Sequence, residues 1–262
     1  MPRILYSQFF ATIRADVAEL VDAQVSEACS RKGVEVRFFS SAPIFIFAIA
    51  ATLHFDSDRM GNETFEHILS RMADQLGHKI EPEALEKLAA HYELVMQANP
   101  LLHLTGPVSA EEFAERHTLE SLAILRFLPT GAKFIDVGPG GGFPSFPCLV
   151  ARPDLSAVLI ESKVKKADFL VDAAGKLDLS DRVAVINKQF EEVKDIEGDF
   201  VTCRALDKFS EKLPRLLRRF AGKHFLLFGG PMLRDGLNAA HRKFDEILLP
   251  NSERRFLFVL KK

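Results

Sequence analysis

The chain has 262 residues, of which 47% are hydrophobic and 27% charged, and its formal net charge is −2. This length and composition can bury a full core, so we expect one domain with a helical extension. The longest apolar stretch, residues 43–53, is well short of the roughly 20 residues that cross a bilayer, and it lies too far from the start for a signal peptide. Cys29, Cys148 and Cys203 have no paired or metal-like spacing, which predicts a cytoplasmic protein without a metal site.

The first 59 residues differ in character from the rest. Residues 18–43 resemble the conceptual translation of a transfer-RNA gene in an unused frame. We therefore expect residues 1–59 to be a spurious or disordered extension, with Met60 as the true start. The alternative is a genuine extension with an apolar anchor at residues 44–49.

A helical region is predicted next. Its three expected helices cover residues 63–77, 82–98 and 109–128. Asn62 and Ser109 are expected as N-caps, with Glu112 completing a capping box, and the Asn99-Pro100 pair is expected to stop the second helix. We expect residues 60–130 to form a helical cap that supplies part of a substrate cleft.

A glycine-rich loop follows the cap. The apolar run Lys133 to Val137 predicts a buried strand, and Gly138-Pro139-Gly140-Gly141-Gly142 follows it directly, with Pro144 suited to a first helical position. The spacing is Gly-x-Gly-x-Gly, with Phe143 where a dinucleotide-binding loop has its third glycine. This favours S-adenosylmethionine over NAD as the ligand. An ordinary turn between a strand and a helix is the alternative.

A second strand is predicted at residues 156–160, and it ends in Glu161, 21 residues beyond Gly140. In a doubly wound sheet a carboxylate at this place can accept hydrogen bonds from both ribose hydroxyls of a nucleoside ligand. The alternative is a solvated side chain at a strand end.

The remaining elements alternate between strand and helix. They are expected at residues 163–176 (helix), 182–187 and 199–203 (strands), 208–220 (helix), 223–228 (strand), and 246–249 and 256–260 (an antiparallel hairpin). Such alternation implies parallel pairing with right-handed crossovers. The predicted class is therefore α/β: residues 131–262 form a Rossmann-like class I methyltransferase fold, whose mostly parallel sheet has a reversed terminal strand.

Several motifs in this order resemble the RsmG (GidB) family. They are Asp136-Val137-Gly138 with Phe143-Pro144, Glu161-Ser162 with Lys165-Lys166, and Cys203-Arg204-Ala205. The resemblance implies methylation of guanine N7 in 16S ribosomal RNA with S-adenosylmethionine as the cofactor. The implied partner is the 16S rRNA or the small ribosomal subunit, and we expect a monomer with no membrane association.

The resemblance also implies roles for single residues. Gly138 and Phe143 would contact the cofactor through the loop, Phe190 and Glu191 would flank its adenine, and Arg204 would complete the site. His117 and Arg204 are candidates to position the guanine. No general base is expected, because guanine N7 has a lone pair and carries no proton.

Charge is divided unevenly along the chain. Residues 204–262 hold 14 Lys and Arg against 6 Asp and Glu, a net of +8, whereas residues 60–160 have a net of −6. A basic half can face RNA phosphates despite the negative total. The predicted patch comprises Arg215, Arg218, Arg219 and Lys223, and a solvated helix face is the alternative.

Other functions stay open from the sequence. Cys203 could act as a nucleophile in C5 methylation of cytosine, but no acidic partner motif accompanies it, and a packed thiol is favoured. A methyltransferase for another RNA or base position, or a non-catalytic nucleotide-binding module, are the remaining alternatives.

Overall fold

The computed structural model describes residues 63–204 and 209–262. The predictions for residues 1–59, for Met60 as the start and for Asn62 as a helix cap lie outside these residues. The division between a cap at 60–130 and a methyltransferase domain at 131–262 stays a prediction.

The first two helices are α1 (Phe65–Gln75) and α2 (Pro82–Leu102). Thr64 caps α1, since its hydroxyl oxygen accepts the His67 N–H at 3.3 Å. The predicted stop of α2 at Asn99-Pro100 is wrong: the helix continues to Leu102 and ends at His103, which has a left-handed φ of 49°. Pro100 lies in the last turn, so its missing N–H removes one helical hydrogen bond without ending the helix.

A third helical stretch, α3, covers residues 110–127 in three successive geometries. These are α-helical Ala110–Glu112, π-helical Phe113–Leu119 and 3₁₀-helical Glu120–Phe127. The Ser109 cap is confirmed, since its hydroxyl accepts the Glu112 N–H at 3.1 Å, but the Glu112 carboxylate bonds Arg116 instead of closing the capping box. A π-helical turn inside a helix frequently marks a functional site.

Seven strands form one sheet: β1 (Lys133–Val137), β2 (Ser156–Ile160), β3 (Val183–Ile186), β4 (Phe200–Cys203), β5 (His224–Gly229), β6 (Asp245–Leu248) and β7 (Phe256–Leu260). Their spatial order is β3-β2-β1-β4-β5-β7-β6. Strands β1 to β5 pair in parallel, and β7 runs antiparallel to both β5 and β6. The predicted fold class is confirmed, with the reversed strand inserted between β5 and β6.

Four helices follow the glycine loop: α4 (Ser145–Ala151), α5 (Val164–Lys176), α6 (Phe209–Arg219) and α7 (Pro231–Ala239). Pro144 is the N-cap of α4, one position before the predicted one. The sequence analysis missed α7. Its signals were Pro231 at the first position and two apolar residues four apart, Leu233 and Leu237, both of which are buried.

Helices cover both faces of the sheet. Side chains alternate along each strand, so each strand contributes side chains to both faces. Phe134 of β1 packs into a cluster with residues of α1 to α5, whereas Ile135 and Val137 pack into a second cluster with α6 and α7. The helices that precede the sheet thus share a core with α4 and α5, which brings α2 and α3 against the glycine loop. Within the two described ranges, no helix is long and apolar enough to cross a bilayer.

Candidate cofactor and substrate site

An open cleft lies at the carboxyl ends of β1 and β2. Its lining comprises Val137, Gly138, Gly140, Ile160, Glu161, Ser162, Lys163, Lys166, Lys188, Gln189, Phe190 and Lys212. The cavity itself is about 90 Å³, and the open space including its mouth is about 550 Å³. Four predicted site residues therefore line one cleft: Gly138, Gly140, Glu161 and Phe190.

The glycine loop forms one wall and offers free amides. Gly138, Gly140 and Gly142 all have left-handed φ values, of 72°, 57° and 91°. The Gly138 N–H donates to Ile160 O, and the Gly142 N–H donates to Pro139 O. The amides of Gly140 and Gly141 have no acceptor among the described residues, and Gly140, which lines the cleft, can bind a carboxylate there. A Cβ on Gly140 would meet no atom within 4 Å, which leaves room for a ligand beside the loop.

A histidine from α2 holds this loop from behind. His91 is 1% exposed, and its Nε2 lies 2.7 Å from Gly141 O. Burial lowers the pKa of His91 to about 4, and a carbonyl only accepts, so Nε2 carries the proton of a neutral ring. The sequence analysis missed this residue. A lone histidine within an apolar helical pattern was its only signal, and that pattern also fits an ordinary core position.

Phe143 lies behind the loop and outside the cleft lining. Its ring centroid lies 4.9 Å from the rings of both His91 and His117, and its N–H donates to Pro139 O. It packs the loop against α2 and α3. Its predicted contact with the cofactor stays a prediction.

Glu161 forms the opposite wall at the end of β2. Its Oε1 accepts the Lys163 N–H at 2.9 Å, and its backbone carbonyl accepts from Asn187 Nδ2 at 2.8 Å. Both bonds fix the carboxylate at the strand end. Since no described residue bonds Oε2, that oxygen is available to ribose hydroxyls.

Phe190 and Glu191 follow β3. Phe190 is 3% exposed and turns part of its surface to the cleft. Glu191 Oε1 pairs with Arg215 Nη1 at 3.3 Å, while Glu191 Oε2 is buried without a partner in the described residues. A buried acceptor normally has a donor, but Glu191 is not part of the cleft lining, so its predicted contact with the adenine stays a prediction.

Arg204, at the end of β4, is engaged with α3. Its guanidinium donates to Ser121 Oγ at 3.1 Å, to Glu120 Oε2 at 3.1 Å and to the Arg116 carbonyl in the π-helical segment. Burial lowers the pKa of Arg204 to about 10, so it stays charged. Burial also raises the pKa of Glu120, which the charge of Arg204 opposes. The observed task of Arg204 is to tie α3 to the sheet, and its cofactor contact stays a prediction.

His117 lies close to Arg204 and the loop. Its ring packs on Phe143 and on Phe113, whose centroid is 5.2 Å away, and its Nδ1 is buried without a described partner. Burial, followed by the charges of Arg204 and Arg116, lowers the pKa of His117 to about 3. The imidazole is therefore neutral near pH 7 and can form hydrogen bonds without carrying charge.

Cys203 is fully buried, and this burial raises the pKa of its thiol. A nucleophilic cysteine needs an accessible thiolate. The structure therefore agrees with the packed thiol favoured from the sequence.

None of the four residues of the predicted basic patch lines the cleft. Because α6 leads from the carboxyl end of β4 to the start of β5, its last residues, Arg218 and Arg219, lie near the opposite edge of the sheet. Lys223 donates to Gly198 O at 2.5 Å, and Arg215 is paired with Glu191. The basic residues at the cleft are lysines that the sequence analysis did not single out for RNA.

The strand order with its reversed β7, the glycine loop and the acidic end of β2 define a Rossmann-like class I methyltransferase fold, with a cleft for S-adenosylmethionine. The described residues contain no group of His, Cys, Asp and Glu suited to a metal ion. The sequence profile of rRNA small subunit methyltransferase G (GidB) matches residues 84–247. The chain belongs to this family.

Several known members of this family are similar to the chain. Ribosomal RNA small subunit methyltransferase G of Neisseria gonorrhoeae (strain NCCP11945) is 35% identical over 136 residues, 52% of this chain and 65% of that protein. The Halorhodospira halophila protein of that name is 38% identical over 151 residues, 57% of this chain and 70% of its own length. The match to the first thus spans slightly less than two thirds of that relative. A S-adenosylmethionine-dependent methyltransferase from Aquifex aeolicus aligns with a TM-score of 0.47 and 16% identity, covering 65% of this chain and 97% of its own.

Proposed function

We propose that this protein transfers the methyl group of S-adenosylmethionine to N7 of a guanine in 16S ribosomal RNA. The observation that carries the proposal is the cleft itself, in a chain of the rRNA small subunit methyltransferase G family. The glycine loop, with the free amide of Gly140, forms one side of this cleft, and a fixed carboxylate forms the other. We further propose a cytoplasmic monomer as the working form.

The residues that line the cleft support binding of this cofactor. The amide of Gly140 would bind the methionyl carboxylate, and Glu161 would accept hydrogen bonds from the ribose hydroxyls. Phe190 would pack against the adenine, whose amino group is a donor for the orphaned Glu191 Oε2.

Methyl transfer to guanine N7 needs no general acid or base, because N7 has a lone pair and carries no proton. S-adenosylmethionine supplies a methyl group on a sulfonium sulfur, which keeps the carbon–sulfur electron pair when N7 forms the new bond. The protein therefore acts by alignment, which can supply a large part of the rate through effective molarity. His117 is a candidate for holding the base, because a neutral ring N–H can donate to O6 beside N7. Arg204 already shares its donors among Glu120, Ser121 and Arg116.

Mapping N7-methylguanosine in 16S rRNA tests the reaction and the target together. RNA from cells with and without the gene is compared by chemical cleavage at N7-methylguanosine and by mass spectrometry. We expect one methylated guanosine that disappears with the gene and returns with purified protein and labelled cofactor. Identical methylation in both strains, with no transfer in vitro, would refute the proposal.

A further inference from the structure

Four lysines surround the mouth of the cofactor cleft. We call Lys163, Lys166, Lys188 and Lys212 the lysine collar. They come from the start of α5, the segment after β3 and the first turn of α6, and they join only at the carboxyl edge of the sheet. The remaining lining contains one acidic residue, Glu161, so the wall of the cleft has three more positive charges than negative ones.

This charge opposes the ligand that the cleft is proposed to hold. S-adenosylmethionine has a carboxylate, an ammonium and a sulfonium, which leave one net positive charge. Like charges at this range repel, although water and salt weaken the effect. The collar therefore lowers the affinity for the cofactor, so its charge must have a function other than cofactor binding.

The protein itself does not neutralise the collar fully. Lys188 is exposed and Lys212 half-exposed, and neither has an ion-pair partner in the two ranges that the structure describes. Lys166 donates to His103 O at 3.1 Å, and this carbonyl has no compensating negative charge. A polyanion at the mouth of the cleft would supply the missing negative charge.

We propose that the lysine collar binds the phosphate backbone of the RNA substrate and thereby couples RNA binding to S-adenosylmethionine binding. Bound phosphates neutralise the collar, so the cofactor binds more tightly once RNA is present, and linkage requires the reverse effect to be equal. S-adenosylhomocysteine lacks the sulfonium charge and responds less. This inference rests on the proposed function.

The position of the collar distinguishes it from the other basic residues. The others lie near the opposite edge of the sheet: Arg218 and Arg219 end α6, Lys243 precedes β6, and Lys262 follows the antiparallel strand β7. RNA held only there would not present its base to the cleft. Lys243 and Lys262 are exposed and outside the cleft lining, so they provide a control of equal charge.

The first test needs no mutation. The affinities of the full chain for S-adenosylmethionine and S-adenosylhomocysteine are measured by calorimetry at 20 and 300 mM salt. We expect the first affinity to rise with salt, because screening weakens repulsion, and the second to change much less. A first affinity that is flat or falls with salt overturns the proposal.

The second test removes charge. At low salt, Lys188→Gln with Lys212→Gln is expected to bind S-adenosylmethionine about two- to five-fold more tightly, the range of a screened surface charge interaction. The control Lys243→Gln with Lys262→Gln should match the unaltered protein. Adding deproteinised 16S rRNA from cells lacking the enzyme should tighten cofactor binding to the unaltered protein and the control, and do so less in the collar variant.

The outcomes separate the two proposals. A protein that binds the cofactor and methylates N7, but whose cofactor affinity ignores RNA and the collar substitutions, refutes the collar and leaves the function standing. A protein that binds no S-adenosylmethionine at either salt concentration refutes the function itself.

Discussion

The contact between His91 and the glycine loop predicts a substitution that lowers cofactor affinity but changes the free energy of unfolding little. In His91→Phe the ring keeps its packing against Phe143 and Phe146, whose centroids lie 4.9 and 5.3 Å away. The hydrogen bond to Gly141 O is lost. Among the described residues, His91 is the only side chain that bonds this carbonyl. Without it, the glycine loop loses a fixed point next to the amide that we propose binds the cofactor carboxylate.

The magnitude follows from two opposed terms. An acceptor left without its partner in a buried place costs about 1–3 kcal/mol. The same substitution removes His91 Nδ1, which is itself buried without a described partner. The free energy of unfolding should therefore change by about 1 kcal/mol or less, whereas cofactor affinity should fall roughly 5- to 30-fold, the equivalent of about 1–2 kcal/mol in loop order.

Calorimetry with S-adenosylmethionine and thermal unfolding of the same samples measure the two quantities. His91→Gln is the matched variant, because its side-chain amide can still donate to Gly141 O. It should recover much of the affinity even if packing suffers. Unchanged affinity in His91→Phe, or an equal loss in both variants, would show that the hydrogen bond does not position the loop.

Three further predictions follow from the same structure. Glu161→Ala should weaken S-adenosylmethionine binding by roughly 1–3 kcal/mol through lost charge-assisted bonds to ribose; calorimetry showing no loss would remove Glu161 from the site. Because the pKa of His91 is lowered to about 4 in the fold, the unfolded chain binds more protons at this residue between pH 6.5 and 4, so the contribution of His91 to stability should be complete above pH 6.5 and fall by about 3 kcal/mol by pH 4; denaturant titrations in which the unaltered protein and His91→Phe show the same pH dependence would contradict this. A protein that begins at Met60 should unfold at the same temperature and bind the cofactor as the full chain does, since residues 63–262 supply the described core and cleft; insoluble or non-binding protein would show that the first 59 residues matter.

The sequence predicted the sheet closely. Strands β1, β2 and β7 have the expected bounds, because short apolar runs between turn residues are a local signal. The hairpin formed by β6 and β7 was also predicted correctly. The errors lie in helices: α2 passes Pro100, and α7 was not predicted at all. Tertiary packing extends or stabilises such helices beyond what local propensity indicates.

The sequence by itself also determined the core of the candidate site. A strand followed by glycines, and an acidic residue at the end of the next strand, are fixed by backbone geometry and by the rule that parallel strands end at one edge. Gly138, Gly140, Glu161 and Phe190 consequently line the cleft as a group.

Only the tertiary structure decided which residues, distant in sequence, pack around and hold the residues of the cleft. His91 reaches the loop across 50 residues of sequence, Arg204 turns to Glu120 across 84, and the lysine collar assembles from separate segments. Such contacts depend on how α2 and α3 pack over one sheet face and on where α6 begins, which no local pattern specifies. A charge count identified the basic half of the chain, but the direction of α6 placed Arg218 and Arg219 near the far edge and left lysines at the cleft.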